Sequence, residues 1–157
     1  MKSATLALLL TAATPTDSAS GATLRDLVQD IALQYPRTEL AACGKAYREQ
    51  EPAFAAAFAG FGARIDGILD AMAPAQPALA TPLPPAFSAF QAMQSALAEE
   101  DLRTRSGADC EAVVRELESL TDAELEAGMS ESAVRLERTI RSHNAEMERV
   151  MGIEPTS

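Results

Sequence analysis

The amino-acid sequence predicts an all-α protein: a single small helical bundle of four to five helices with a Pro-rich crossover loop and one disulfide bond. Apolar residues recur at spacings of three and four along most of the chain, which is the period of an amphipathic helix. Alanine is the most frequent residue type, and it favours helix. Alternating runs of β-branched and aromatic residues, the usual signal of a half-buried strand, are absent.

The N-terminal segment is typical of a secretory signal peptide. Lys2 precedes a run of small and apolar residues from Ala4 to Ala13, and small residues follow that run. The run is too short to cross a bilayer, since a spanning helix needs about 20 apolar residues. We expect residues 1–20 to be removed and the mature chain to be periplasmic or secreted, without membrane insertion. The alternative is a short N-terminal helix that packs on the domain.

The remaining chain predicts one helical domain over residues 21–152 and a disordered tail over residues 153–157. This length is enough for one hydrophobic core. Thr23 and Asp26 have the spacing of a capping box, in which a hydroxyl and an acid three residues later bind each other's backbone N–H groups. Pro36 is predicted to end this first helix, because the residue before a proline avoids helical geometry.

A second helical stretch follows, and Pro52 either kinks it or begins the next helix. Beyond it lies the strongest amphipathic stripe of the chain, made of Phe54, Phe58, Phe61, Ile65, Ile68, Leu69 and Met72. Gly60, Gly62 and Gly67 lie within the same stretch, and each costs about 1 kcal/mol relative to alanine in a helix. A close crossing with another helix would explain these glycines, and a hinge is the alternative.

The second half of the chain predicts further helices after a loop that holds five of the nine prolines. One helix is expected from Pro85, with Phe87, Phe90, Met93 and Leu97 facing inward, and another from near Cys110. Thr121 and Glu124 repeat the capping-box spacing, and Gly128 is predicted to end the helix that they begin. The last helix is predicted to begin after Ser130 and to turn inward Ala133, Leu136, Ile140, His143, Met147 and Val150.

Cys43 and Cys110 are the only cysteines, and they lie far apart in the sequence. This spacing fits neither a C-x-x-C redox motif nor a zinc cluster. Because an even number of cysteines in an exported protein usually indicates disulfide pairing, we predict a bond between Cys43 and Cys110. In a cytosolic protein both residues would instead be small buried hydrophobes.

His143 is the only histidine, and it falls on the apolar side of the last helix, where a packed side chain with one hydrogen bond is the ordinary outcome. A haem- or metal-carrying bundle that uses His143 is the alternative function. Haem would require Met72 or Met93 on the opposite side of the iron, and a metal would require Glu146 and a further helix. One histidine cannot supply the two Glu-x-x-His pairs of a di-iron bundle. We predict no catalytic residue, no metal site and no cofactor, and we do not expect an enzyme.

Charge is the remaining guide to function. The formal net charge is −10, and acidic residues outnumber basic ones more than twofold from Glu99 to Ser157. Such a surface repels nucleic acid and anionic lipid, which makes both poor partners. We therefore predict an interaction or structural role, with a basic protein as the partner. The alternative is that the charge serves solubility alone.

Overall fold

Two long helices open the described part of the chain, which in this computed structural model comprises residues 21–84 and 110–152. The 3₁₀ turn Arg48–Gln50 joins them, and the turn Pro77–Ala80 follows the second. The four α-helices are α1 (Leu24–Ala46), α2 (Glu51–Met72), α3 (Cys110–Ser119) and α4 (Asp122–Met151). The all-α prediction is confirmed, because the described residues contain these helices and no strand.

Several predicted features lie outside the described residues. These are the signal peptide over residues 1–20, the tail over residues 153–157, and the helix predicted from Pro85 with its inward residues Phe87, Phe90, Met93 and Leu97. Within the described ranges, none of the helices combines the length and the hydropathy that crossing a bilayer requires.

Helix α1 begins as predicted but does not end as predicted. The Thr23 side chain accepts the backbone N–H of Asp26, and the Asp26 carboxylate accepts the N–H of Thr23, which completes the capping box. The prediction that Pro36 ends the helix is wrong, because α1 continues for ten more residues. A proline inside a helix costs about 3 kcal/mol, but Pro36 is itself buried between the buried Leu33 and Leu40. Packing of these turns offsets the lost hydrogen bond.

Helix α2 begins at Glu51 with Pro52 in its first turn, so Pro52 starts a new helix. It runs antiparallel to α1. Arg25, near the start of α1, reaches Asp66 and Asp70 near the end of α2 at 3.2 and 2.7 Å. The hydrogen bond that Arg25 donates to Asp70 and the weaker one to Asp66 raise the pKa of Arg25, while partial burial opposes this shift. The two helices are therefore held at this end by charge as well as by apolar packing.

The glycines of α2 do not mark a close helix crossing, and that prediction is wrong. A Cβ atom built on Gly60, Gly62 or Gly67 would meet no neighbouring atom within 4 Å. Gly60 and Gly67 are exposed, and neither has a positive φ. The amphipathic stripe lies on the other side of the helix, where Phe54, Phe61, Ile65, Leu69 and Met72 are buried.

Replacing Gly60 and Gly67 by alanine should therefore stabilise the protein. Each change removes about 0.5–1 kcal/mol of helix cost without a steric conflict, so Gly60→Ala/Gly67→Ala should raise the free energy of unfolding by roughly 1–2 kcal/mol in urea denaturation. The control is Gly152→Ala, which should destabilise because Gly152 caps α4 with φ of 68°. Loss of stability in the double variant would show that these positions pack closely after all.

The chain after α2 returns along the start of α1. The backbone N–H of Leu24 donates to the carbonyl of Thr81 at 2.9 Å, and that of Leu83 donates to the carbonyl of Ala22 at 2.9 Å. Leu79, in the second 3₁₀ turn, is 2 % exposed and joins the core. This part of the Pro-rich loop is thus fixed against the N-terminus of α1.

A disulfide bond joins α1 to α3, as predicted. Cys43 and Cys110 are bonded, with 5.7 Å between their Cα atoms. At the other end of α3, the guanidinium of Arg64 on α2 donates to the carbonyl of Leu120 and pairs with the carboxylate of Asp122. Helix α3 is therefore attached to the bundle at both ends.

Helix α4 starts as predicted, with reciprocal hydrogen bonds between Thr121 and Glu124. The predictions that Gly128 ends a helix and that Ser130 begins another are wrong, because both lie inside one helix of 30 residues. Burial of Met129 beside them, and a hydrogen bond of 2.8 Å from the Gln76 amide to the Ser130 hydroxyl, tie this region to the bundle.

The inward side of α4 is buried only in part. Ala133 and Ile140 are buried, and Leu136 and His143 are half-buried. Met147 and Val150 were predicted to face inward, but they are exposed, Val150 by 72 %. The apolar pattern therefore continues past the point at which the described bundle covers it. The core itself combines all four helices: Leu24, Leu27, Val28, Leu33, Leu40, Cys43, Phe54, Phe61, Ile65, Leu69, Met72, Leu79, Cys110, Val113, Leu117, Met129, Ala133 and Ile140.

Candidate functional site

An apolar groove of about 300 Å³ opens between α1, α3 and the first turns of α4, with α2 forming part of its floor. Its buried lining residues are Val28, Pro36, Phe61, Ile65, Leu117 and Met129. We call it the α1–α4 groove. The packing of the helices creates this groove. Helices α1 and α2 pack against each other, and α4, which follows the turn after α3, contacts both of them.

One edge of the groove is formed by two large side chains of α1 that remain accessible. Ile31 is 39 % exposed and Tyr35 is 40 % exposed, and both line the groove. Both lie at helical spacing from Leu24, Leu27 and Val28, which places them on the same side of α1. The apolar side of α1 is wider than the surface that the neighbouring helices cover, so its edge contributes an accessible apolar rim.

Two carboxylates also line the groove. They belong to Glu116 of α3 and Glu124 of α4, and no Lys, Arg or His is among the lining residues in the described part of the chain. The Tyr35 hydroxyl donates to the Glu116 carboxylate across 3.5 Å, which is a long hydrogen bond. Tyr35 therefore joins the apolar and acidic parts of the rim.

Glu124 is committed to the cap of α4. The backbone N–H of Thr121 and then the Thr121 hydroxyl donate to its carboxylate, and these hydrogen bonds lower the pKa of Glu124. The side chain is therefore ionised at neutral pH. Its charge lies at a helix N-terminus, where the partial positive charge of the helix already offsets it. Glu116 has no such cap interaction, so its negative charge is offset less than that of Glu124.

A third carboxylate lies close to this rim in sequence and in the helix. Glu39 follows Tyr35 by four residues, which places it one turn further along the same side of α1. The residue as a whole is only 6 % exposed, but no buried side-chain oxygen in the described part of the chain lacks a hydrogen-bond partner, so Glu39 is not a buried unpaired charge, and it does not line the groove. Its position between Tyr35, which contacts α3, and Cys43, which is bonded to α3, puts it beside the α1–α3 interface.

Sequence reasoning missed Glu39, because a single glutamate in a helix is ordinarily a solvated side chain. The only available signal was its spacing of four residues from both Tyr35 and Cys43. The carboxylates that the sequence did predict to be solvated are exposed on α3 and α4. Among them, Glu111 pairs with Arg115 and Glu131 pairs with Arg135.

His143 lies away from the groove. It is half-buried on α4 and does not have a free imidazole, and Met147, one turn later, is exposed. Met72 is buried in the core, and Met93 lies outside the described residues. Within residues 21–84 and 110–152, no three His, Cys, Asp or Glu side chains converge as metal ligands.

The α1–α4 groove, together with the two carboxylates that line it, is thus the candidate functional site. Comparisons with protein-family models, with curated proteins and with solved structures found no match to this chain.

Proposed function

We propose that this chain is exported with the help of residues 1–20 and acts in the periplasm or outside the cell as a binding protein for a basic protein partner. The role requires recognition and no chemical step. The observation that carries the proposal is the α1–α4 groove, which combines an accessible apolar surface with carboxylates and, among the residues that the structure describes, has no basic lining residue.

The apolar part of the groove supplies the driving force for binding. Burial of apolar surface is worth about 25 cal/mol per Å², and accessible aromatic and aliphatic side chains beside a concave surface are typical anchors of protein recognition. Ile31 and Tyr35 are such side chains, and both lie at the groove edge.

Charge favours a basic partner over other classes. The chain has a net charge of −10, and the groove carries Glu116 and Glu124 with no cation among its lining residues in the ranges 21–84 and 110–152. Complementary charge speeds the encounter of two proteins and makes it sensitive to salt, because exposed charges are screened beyond about 10 Å at 0.1 M salt. The same charge opposes the approach of nucleic acid.

The disulfide bond supports export. Disulfides persist in oxidising compartments and are rare in the cytosol, and Cys43–Cys110 accounts for both cysteines of the chain. Together with the signal-like N-terminus, it supports a binding role outside the cytosol.

Site-specific photo-crosslinking in the native host tests this function. Benzoylphenylalanine at position 35 replaces Tyr35 by another aromatic side chain at the groove edge, and the same residue at the exposed Ala59 of α2 is the control. We expect position 35 to capture one basic protein that the control does not capture, and we expect the recovered chain to start near residue 21. Capture of nothing, of the same proteins at both positions, or of acidic proteins only would contradict the proposal.

A further inference from the structure

We infer that the α1–α4 groove binds a segment of the basic partner in which apolar side chains stand next to a Lys or Arg, and that this cation is held at the rim by Tyr35 and Glu116. The inference rests on the proposed function and names the part of the partner that is recognised. A segment of this kind is an amphipathic helix or strand with a cation at the border of its apolar side.

The size of the groove favours a few side chains over a whole small molecule. Its volume of about 300 Å³ is at the lower end of the range for ligand clefts. The floor formed by Val28, Ile65 and Met129 is apolar, so it offers no hydrogen bonds with which to orient a polar ligand. Aliphatic or aromatic side chains from a folded segment match this surface.

The acidic residues of the groove determine which charge the bound segment carries beside its apolar side chains. Burying a carboxylate without a partner is unfavourable, and an incoming cation that pairs with it offsets part of that cost. Glu116 lines the groove, and within the described chain its carboxylate has only the long hydrogen bond from Tyr35. Because the Tyr35 hydroxyl and the Glu116 carboxylate lie 3.5 Å apart, one flexible cationic side chain can approach both residues.

A second copy of this chain is a poorer occupant. Each copy carries a net charge of −10, and two such chains repel one another on approach. Its exposed apolar residues at the end of α4, Met147 and Val150, also lie on a helix whose nearby charges include Glu146 and Glu148. A basic segment avoids this repulsion and gains from the acidic rim.

Gly128 allows the groove to be blocked without disturbing the fold. It lines the groove, lies inside α4 with φ below zero, and leaves open space where a Cβ atom would be placed. Gly128→Trp should fill the groove, while Gly128→Ala is its matched control and leaves most of the volume free. Both variants replace a glycine inside a helix, so neither is expected to lose stability.

The test measures binding of two labelled model peptides to the purified chain by fluorescence anisotropy. One is a short amphipathic helix of Leu and Lys, and the other has Glu in place of each Lys. We expect the Leu–Lys peptide to bind at least about tenfold more tightly. Its binding should be lost in Gly128→Trp, kept in Gly128→Ala, and weakened with a smaller salt dependence in Glu116→Gln.

Other outcomes would overturn the inference. Equal binding of the two peptides, no binding of either, or binding of the Leu–Lys peptide that survives Gly128→Trp would each show that the groove does not select an apolar and basic segment. A dimer in sedimentation that Gly128→Trp converts to monomer would assign the groove to a second copy.

Gly128→Trp also separates this inference from the proposed function in cells. Position 59 remains the control in this experiment, and only the yield of the crosslink at position 35 is compared between the variants. If the crosslink at position 35 captures a basic partner and Gly128→Trp does not reduce its yield, the proposed function stands and the inference fails. If position 35 captures no partner at all, the proposed function fails.

Discussion

Loss of the Cys43–Cys110 bond should lower the free energy of unfolding by about 4 kcal/mol. The two cysteines are 67 residues apart, and a crosslink over so long a loop removes much conformational freedom from the unfolded chain. It also fixes the first turn of α3 to the last turns of α1, and the residues between α2 and α3 lie within the closed loop. For a domain of this size the expected loss is a large part of the total stability.

Urea denaturation of the Cys43→Ala/Cys110→Ala variant against the oxidised chain measures this difference. Treatment with a reductant should shift the unfolding midpoint of the wild-type chain and leave that of the double variant unchanged, which separates the bond from other effects of the reductant. A difference within about 1 kcal/mol would show that the unfolded chain is already restrained, or that the native structure around the bond is strained.

Local patterns in the sequence predicted the features that depend on neighbours in the chain. The capping boxes at Thr23 and Thr121 were both predicted correctly, because a cap needs only two side chains three residues apart and the backbone between them. Pro52 at the start of α2 is a similar case, since its missing N–H has no helical partner at that position.

Predictions about where helices end failed when distant packing decided the outcome. Pro36 and Gly128 are both residues that interrupt an isolated helix, and each lies inside a helix here. Burial of the turns around Pro36, and of Met129 beside Gly128, involves residues that are far away in the sequence. A helical propensity of about 1–3 kcal/mol per residue can be outweighed by such burial.

The groove could be predicted only in part for a related reason. Helical spacing placed Ile31 and Tyr35 on the apolar side of α1, but it does not show how much of that side the other helices cover. The position of α3 beside α1, which brings Glu116 to Tyr35, depends on the crosslink between residues 67 apart in the chain. The acidic character of the groove was visible only as an excess of acidic residues in the second half of the chain.

Ile65→Ala should destabilise the protein by about 3 kcal/mol, through the loss of buried apolar contact and the cavity that remains. Ile65 is 0 % exposed in the middle of α2, and it packs in the core shared by all four helices. The matched control is Ile31→Ala on α1, which makes the same chemical change at a side chain that is 39 % exposed and should cost less than about 1 kcal/mol.

Both substitutions raise the intrinsic helix propensity by the same amount. The difference between their losses in unfolding free energy therefore measures burial alone. Urea denaturation with equal m-values for the two variants gives this difference directly. Ile31 lies at the groove edge and Ile65 at its floor, so comparing the two variants also distinguishes an effect on partner binding from an effect on protein stability. Ile31→Ala should weaken capture of the basic segment while leaving the fold intact, whereas equal stability losses in the two variants would contradict the core described for α2.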